Sequence, residues 1–323
     1  MRRVKILLVM MTLLVLSVSC DIHQWPRSRE TMPVCLEFNF ETALSLWYHE
    51  HTPSGVVETG SGPMVENVRA EGLMRCVVQV GEDHKYVFYH DIKDGYDFVQ
   101  TIDLPPGSHD VMVWADMTEN EGDSAFYDAS DFESVRITRP YVGSSDYRDA
   151  FRAYASLVLK PDILDKAPDT LSVRMQRPLA KFEVVSVDLR EFISGIPDHN
   201  DIEDYSFEFR YVGYVPDTYS LPADRPVDSS VGTSFDSCVR KLDHNELSLG
   251  FDYVYVNHRA SYVSLQLAVY DKAGDMVLLS KPFNVPVSRD RHTIIRGRFL
   301  TSRSSGGVGV DPGYDNDFNV IIP

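Results

Sequence analysis

Basic residues are scarce in this 323-residue chain, where 31 Lys and Arg stand against 48 Asp and Glu for a formal charge of −17. A surface with that excess repels phosphate backbones, which argues against nucleic acid as a partner, and it suits a solvated envelope protein. Tryptophan is rarer still: Trp25, Trp47 and Trp114 lie too far apart for a stacked sugar-binding platform, and Trp114, on a run with Val111 and Val113, reads as core. The four cysteines, Cys20, Cys35, Cys76 and Cys238, do not cluster as a zinc site requires. No G-x-S-x-G elbow, H-E-x-x-H helix, phosphate loop or dinucleotide fingerprint occurs. Catalytic residues, metals and cofactors are therefore assigned to none of the residues. His49 and His51 sit two apart, on one face of an expected strand, with no third ligand nearby. The acidic runs 116–123 and 311–317 lack EF-hand spacing and read as a charged surface loop and a hydrated turn.

What is present begins with residues 1–20. Arg2, Arg3 and Lys5 precede a thirteen-residue apolar run, Ile6 to Val18, and Ser19 leads into Cys20. A helix of that length spans about 20 Å, short of the ~30 Å hydrocarbon core. The order reads as a lipoprotein signal peptide over 1–19, with Cys20 lipidated and residues 20–33 as a tether. An ordinary secretory leader is the other reading, and either one exports the chain. Export permits a disulfide. Cys35 and Cys76 are the candidate pair, with two buried free thiols as the alternative, and Cys238 is left unpaired.

From residue 34 onward the sequence alternates in short runs, the mark of half-buried strands. Val34, Leu36, Phe38 and Phe40 share one face. Similar runs follow at 85–90, 98–104, 110–116 and 154–159, with Pro105-Pro106-Gly107 turning a hairpin. Residues 160–169 carry two prolines and little apolar content, so the boundary between two domains, 34–165 and 170–323, is placed there. Beyond it, runs at 171–175, 179–187, 206–215, 247–256, 262–270, 276–279, 283–287, 293–299 and 318–322 read as strands. Residues 188–194 read as a short helix capped by Asp188 and stopped by Gly195, and 216–231 as loop. The fold class expected is all-β, two tandem antiparallel β-sandwiches.

Several stretches, in this order, resemble a family of Bacteroidota envelope lipoproteins related to fimbrillins and fimbrial anchor subunits. They are Ser19-Cys20; Val99-Gln-Thr-Ile-Asp-Leu-Pro-Pro-Gly107 running into Val111-Met-Val-Trp-Ala115; Met175-Gln-Arg-Pro-Leu-Ala-Lys181; Val287 to Thr301; and the tail from Gly306 to Ile322. The resemblance implies transthyretin-like sandwiches and partner subunits bound by strand pairing. It makes Val34, Leu36, Phe38 and Phe40 one candidate pairing strand and Phe318, Val320 and Ile322 another; the alternative is that both complete their own sandwiches. The function expected is a non-enzymatic structural protein held on the outer membrane through Cys20, a fimbrial component, anchor or assembly accessory, with the cell surface as its expected face. A surface lipoprotein that binds a glycan or host protein is the alternative.

Overall fold

The structure, a computed structural model, describes residues 30–82, 84–121, 126–160, 168–195 and 201–301. The first strand, β1 (Met32–Phe40), buries alternate residues as its sequence predicts. It lies between β11 (Asp169–Met175), parallel to it, and β6 (Phe98–Leu104), antiparallel to it. The facing sheet runs in the order β10 (Ala150–Leu159), β7 (Gly107–Thr118), β4 (Leu73–Val80), β5 (His84–Asp91). Between the two sheets Val34, Leu36, Phe38, Met74, Val78, Val113 and Phe151 form one core. Each such side chain is worth about 1.5–3 kcal/mol when fully buried.

The second sandwich pairs a six-stranded sheet with a smaller one. The larger runs in the order β17 (Arg240–Lys241), β18 (Leu247–Tyr255), β12 (Leu179–Ser186), β22 (Arg291–Gly297), β2 (Ala43–Thr52), β3 (Gly55–Glu66). The smaller runs in the order β16 (Ser234–Asp236), β13 (Ser206–Tyr211), β19 (Ser261–Tyr270), β20 (Met276–Leu279), with β21 (Phe283–Val287) also on β19. Phe182, Val184, Phe207, Phe209, Leu265, Leu267 and Ile295 fill the space between them. Helix α1 (Leu189–Ser194) starts after Asp188 and stops at Gly195 as expected. The Asp188 carboxylate makes no cap bond and instead accepts from the Thr301 amide at 2.9 Å and the Thr301 hydroxyl at 2.6 Å.

A third, small sheet bridges the sandwiches. Each contributes one excursion: β8 (Tyr127–Asp128) and β9 (Val135–Ile137) leave between β7 and β10, and β14 (Tyr214–Ser220) and β15 (Arg225–Val231) leave between β13 and β16. The excursions meet where β9 pairs with β14, Val135 opposite Tyr219.

The sandwiches are not the contiguous blocks 34–165 and 170–323 that the sequence suggests. The β2–β3 hairpin belongs to the second sandwich and β11 to the first, so the chain crosses between them at 41–42, 67–72 and 176–178. Alternation locates a strand but does not say which sheet receives it. A second correction concerns 206–231. The run 206–215 breaks at Gly213, whose φ of +95° makes a turn, and 216–231 holds most of β14 and all of β15 rather than loop. Register shifts after Pro216 and Thr218 hide the period of two.

Candidate functional site: the first strand and the junction of the sandwiches

The candidate pairing face of β1 is occupied from within. Val34, Leu36 and Phe38 are buried in the core, and Phe40 packs half-buried at its margin. The Phe38 and Phe98 rings stack 4.7 Å apart, and Phe40 meets Phe151 edge-on at 5.1 Å. With β11 on one side and β6 on the other, both edges of β1 are hydrogen-bonded, so these residues complete their own sandwich. Phe318, Val320, Ile322, the run 311–317, Cys20 and the tether through Arg29 lie outside the described residues.

Cys35 and Cys76 are not bonded, which corrects the candidate disulfide. Cys35 alternates with Val34 and Leu36, so it lies on the outer face of its sheet, where its Sγ is 3.6 Å from the Thr101 hydroxyl. Cys76 is fully buried in the core, and burial pushes its thiol far above the ordinary range. Cys238 is exposed. Asp116 is a further correction, since it is buried at the base of its run rather than on a charged loop. It takes two hydrogen bonds from Arg75, at 2.9 and 2.6 Å, and one from the Trp114 indole at 3.0 Å. Burial nevertheless lifts its carboxyl above the usual range, against the pull of Arg75. His49 and His51 do share a strand face. His49 stands edge-on to Trp47, and His51 packs on Phe283 and Phe299. Burial lowers both imidazoles, and the described residues bring no third metal ligand to them.

The densest chemistry lies where the chain crosses between sandwiches. Arg177, on the third crossing, is 1% exposed. Its Nε and Nη2 each donate to Asp149 at 2.8 Å. The same guanidinium donates to the Glu41 carbonyl at 2.8 Å and the Asn67 carbonyl at 3.2 Å, which belong to the other two crossings. One side chain therefore ties all three. Asn67 is held in turn: its amide donates to Asp149 at 3.0 Å and to the Tyr253 hydroxyl at 2.9 Å, and its Oδ1 accepts from Lys181 at 3.0 Å. Arg148 is buried beside Asp252 and gives its Nη groups to the carbonyls of Val142 and Tyr253. Tyr141 and Tyr211 both donate to Asp252 at 2.7 Å. Burial raises the Asp252 carboxyl, and Arg148 and the two hydroxyls oppose that rise. Around these ion pairs Trp114, Tyr127, Val135, Tyr219, Leu221 and Tyr255 form an apolar core shared by both sandwiches and the bridging sheet.

Of these roles only the burial of Trp114 was visible in the sequence, yet three of the stretches that carried the resemblance converge here. Trp114 comes from one, Arg177 and Lys181 from a second, and Arg289 from a third. Arg289 and Arg152 both bind Asp224, at 3.1 and 2.5 Å. An arginine within an otherwise apolar stretch, as in Met175-Gln-Arg177-Pro-Leu-Ala, was the one available signal that a charge is buried by design.

Comparison with known proteins gives distant structural likenesses. A candidate adhesin from Bacteroides ovatus is 12% identical, with 81% of this chain and 80% of that one covered, at a TM-score of 0.43. The fimbrial anchor protein Mfa2 from Porphyromonas gingivalis is 11% identical, with 77% and 82% covered, at a TM-score of 0.36. A candidate cell adhesion protein from Bacteroides ovatus is 8% identical, with 85% and 95% covered, at a TM-score of 0.42. A search of curated proteins found no match. The model of DUF6562, described as a family of unknown function, matches residues 49–323, and the chain belongs to that family.

Proposed function

We propose that this protein is a lipid-anchored structural component of the cell envelope that binds a partner subunit by strand pairing, as a fimbrial anchor or assembly accessory, without enzymatic activity. The observation that carries this reading is β1, which begins at Met32, within the last residues of the expected tether 20–33, and is filled on both sides by strands of its own chain. A subunit in the interior of a strand-exchanged fibre needs its groove filled by a neighbour. A unit complete in itself fits the end of such a series, and a lipid on Cys20 fixes that end to the outer membrane. The ion-paired junction supports the reading, because it holds the two sandwiches as one body between the anchor and the partner. Phe318, Val320 and Ile322 supply the alternating face offered to that partner.

The test is a pull-down from detergent-solubilised outer membranes with an internally tagged chain, compared with Cys20→Ala and with a chain ending at Thr301. Three results are expected: a β-rich partner with the wild type, loss of membrane retention with Cys20→Ala, and loss of the partner with the truncation. Recovery of the partner by the truncated chain would overturn the role of the tail, and membrane retention of Cys20→Ala would overturn the anchor.

A further inference from the structure

Most sheet edges among the described residues are blunted. Strand β3 carries Pro63 and two breaks in register, β15 carries Pro226 and two more, and β16 and β17 are three and two residues long. The edge of β10 is tied to the first sandwich's other sheet through the Arg152–Gln176 backbone pair. On β6 the Tyr86 hydroxyl reaches across to the Asp103 carbonyl at 3.3 Å, and Asp103 is its one charged residue.

Strand β5 differs. Its eight residues pair with β4 without a register shift, and no other strand among the described residues lies on its far side. It contains no proline and no glycine. Tyr86 and Phe88 lie along its core-side face half-covered, their rings nearly parallel at 6.2 Å, and His90 stacks on Phe98 at 4.4 Å. On the other face Val87 is 50% exposed.

We propose that β5 is a self-association edge on which a second copy of this chain adds its own β5, antiparallel, about a two-fold axis. The sequence Lys85-Tyr-Val-Phe-Tyr-His-Asp91 is complementary to itself in one register. A two-fold axis normal to the sheet keeps faces together, so directly opposed residues must be an even number apart. With the axis at Phe88, Lys85 of each copy stands opposite Asp91 of the other, giving two opposite-charge pairs. Tyr86 then faces His90, Val87 faces Tyr89, and the two Phe88 rings meet. Moving the axis to Val87 places Lys85 against Tyr89 and loses both charge pairs. Lys85 already gives two hydrogen bonds to the carbonyls of Ala129 and Ser130, near Asp128 and Asp131, which hold its chain along the outer face and leave one N–H for the partner. The contact is isologous and closes at two copies, so it pairs molecules side by side rather than building a fibre.

The test uses the chain from Asp21 onward in sedimentation equilibrium. The wild type is expected to show a concentration-dependent dimer. Lys85→Asp puts two acids opposite one another and Asp91→Lys two bases, so each variant alone is expected to lose about tenfold or more in association constant. Mixed in equal amounts, the two variants restore both charge pairs, and the mixture is expected to dimerise as tightly as the wild type. Circular dichroism and unfolding midpoints matching the wild type establish that the variants fold. A wild type that stays monomeric at every concentration overturns the proposal, as does a mixture no tighter than its components.

Discussion

Arg177 shows how much can depend on one side chain. Its partner Asp149 is buried with it, and two of its donors hold the backbone carbonyls of Glu41 and Asn67. Arg177→Ala would strand a buried carboxylate and remove a donor from each carbonyl, so a loss of about 3–5 kcal/mol is expected in urea unfolding. A loss below about 1 kcal/mol would show that water replaces the guanidinium without difficulty. Arg177→Lys is expected to fall between, since one ammonium cannot supply the fork that meets Asp149. The cysteines give a second test at this scale. With no disulfide among Cys35, Cys76 and Cys238, three thiols should titrate in denaturant. In the native protein Cys238 should react rapidly and Cys76 only on unfolding, because its thiolate would have to form inside the core. A single reactive thiol in denaturant would restore the Cys35–Cys76 bond.

Among the elements, what was readable and what was not follows from geometry. Strands β1, β6 and β19 have regular alternation, and the sequence places them, with β18, within a residue or two. Strands β14 and β15 were missed because bulges at Pro216 and Thr218 break the period that identifies a strand. The junction was missed for a different reason: its ion pairs join residues far apart in sequence, as with Arg148 and Asp252, and no local pattern encodes them. Gly250 marks a comparable irregularity on β18, where the ladder to β12 shifts register between Val184 and Val185. Its φ is +147°, and a Cβ there would lie 2.2 Å from the Ser237 hydroxyl. Gly250→Ala is therefore expected to cost about 1–3 kcal/mol by chemical denaturation. Ser237→Ala beside it should recover some of that loss. An additive pair of effects would place the whole cost in the backbone.

For the whole molecule the crossings at 41–42, 67–72 and 176–178 matter most. Each sandwich contains strands from both halves of the chain, and the core around Trp114, Tyr219 and Tyr255 belongs to both, so unfolding one exposes buried surface of the other. A single unfolding transition is expected, coincident for Trp114 at the junction and Trp47 in the second sandwich, each read in a variant with the other tryptophans changed to Phe. Two separated transitions would mean the sandwiches act independently despite the interlacing. Stability should also fall in acid in two stages. Burial holds the imidazoles of His49, His51 and His292 below 6.5, so the unfolded chain takes up protons first and stability drops as pH falls through 6.5. Burial pushes Glu183 up, but the His292 imidazole 3.5 Å away and a hydrogen bond from the Ser248 hydroxyl outweigh it and hold the carboxyl at about 2. Its contribution is present above pH 4.5 and is lost between there and about 2. Glu183→Gln should flatten that lower stage and deepen the upper one, because Glu183 opposes the lowering of the His292 imidazole. Asp116 and Asp252, both raised, act in the opposite direction.

The placement of β1 has a mechanical consequence. In the proposed anchored arrangement, tension enters at the Met32 end of a strand clamped along its length by β11 and β6. A strand pulled along its own axis from between two neighbours is loaded in shear, so its backbone bonds share the force and must fail together. Pulled sideways, the same bonds would break in succession like a zip. Traction along the axis of β1, under that proposal, therefore meets this fold in its more resistant direction.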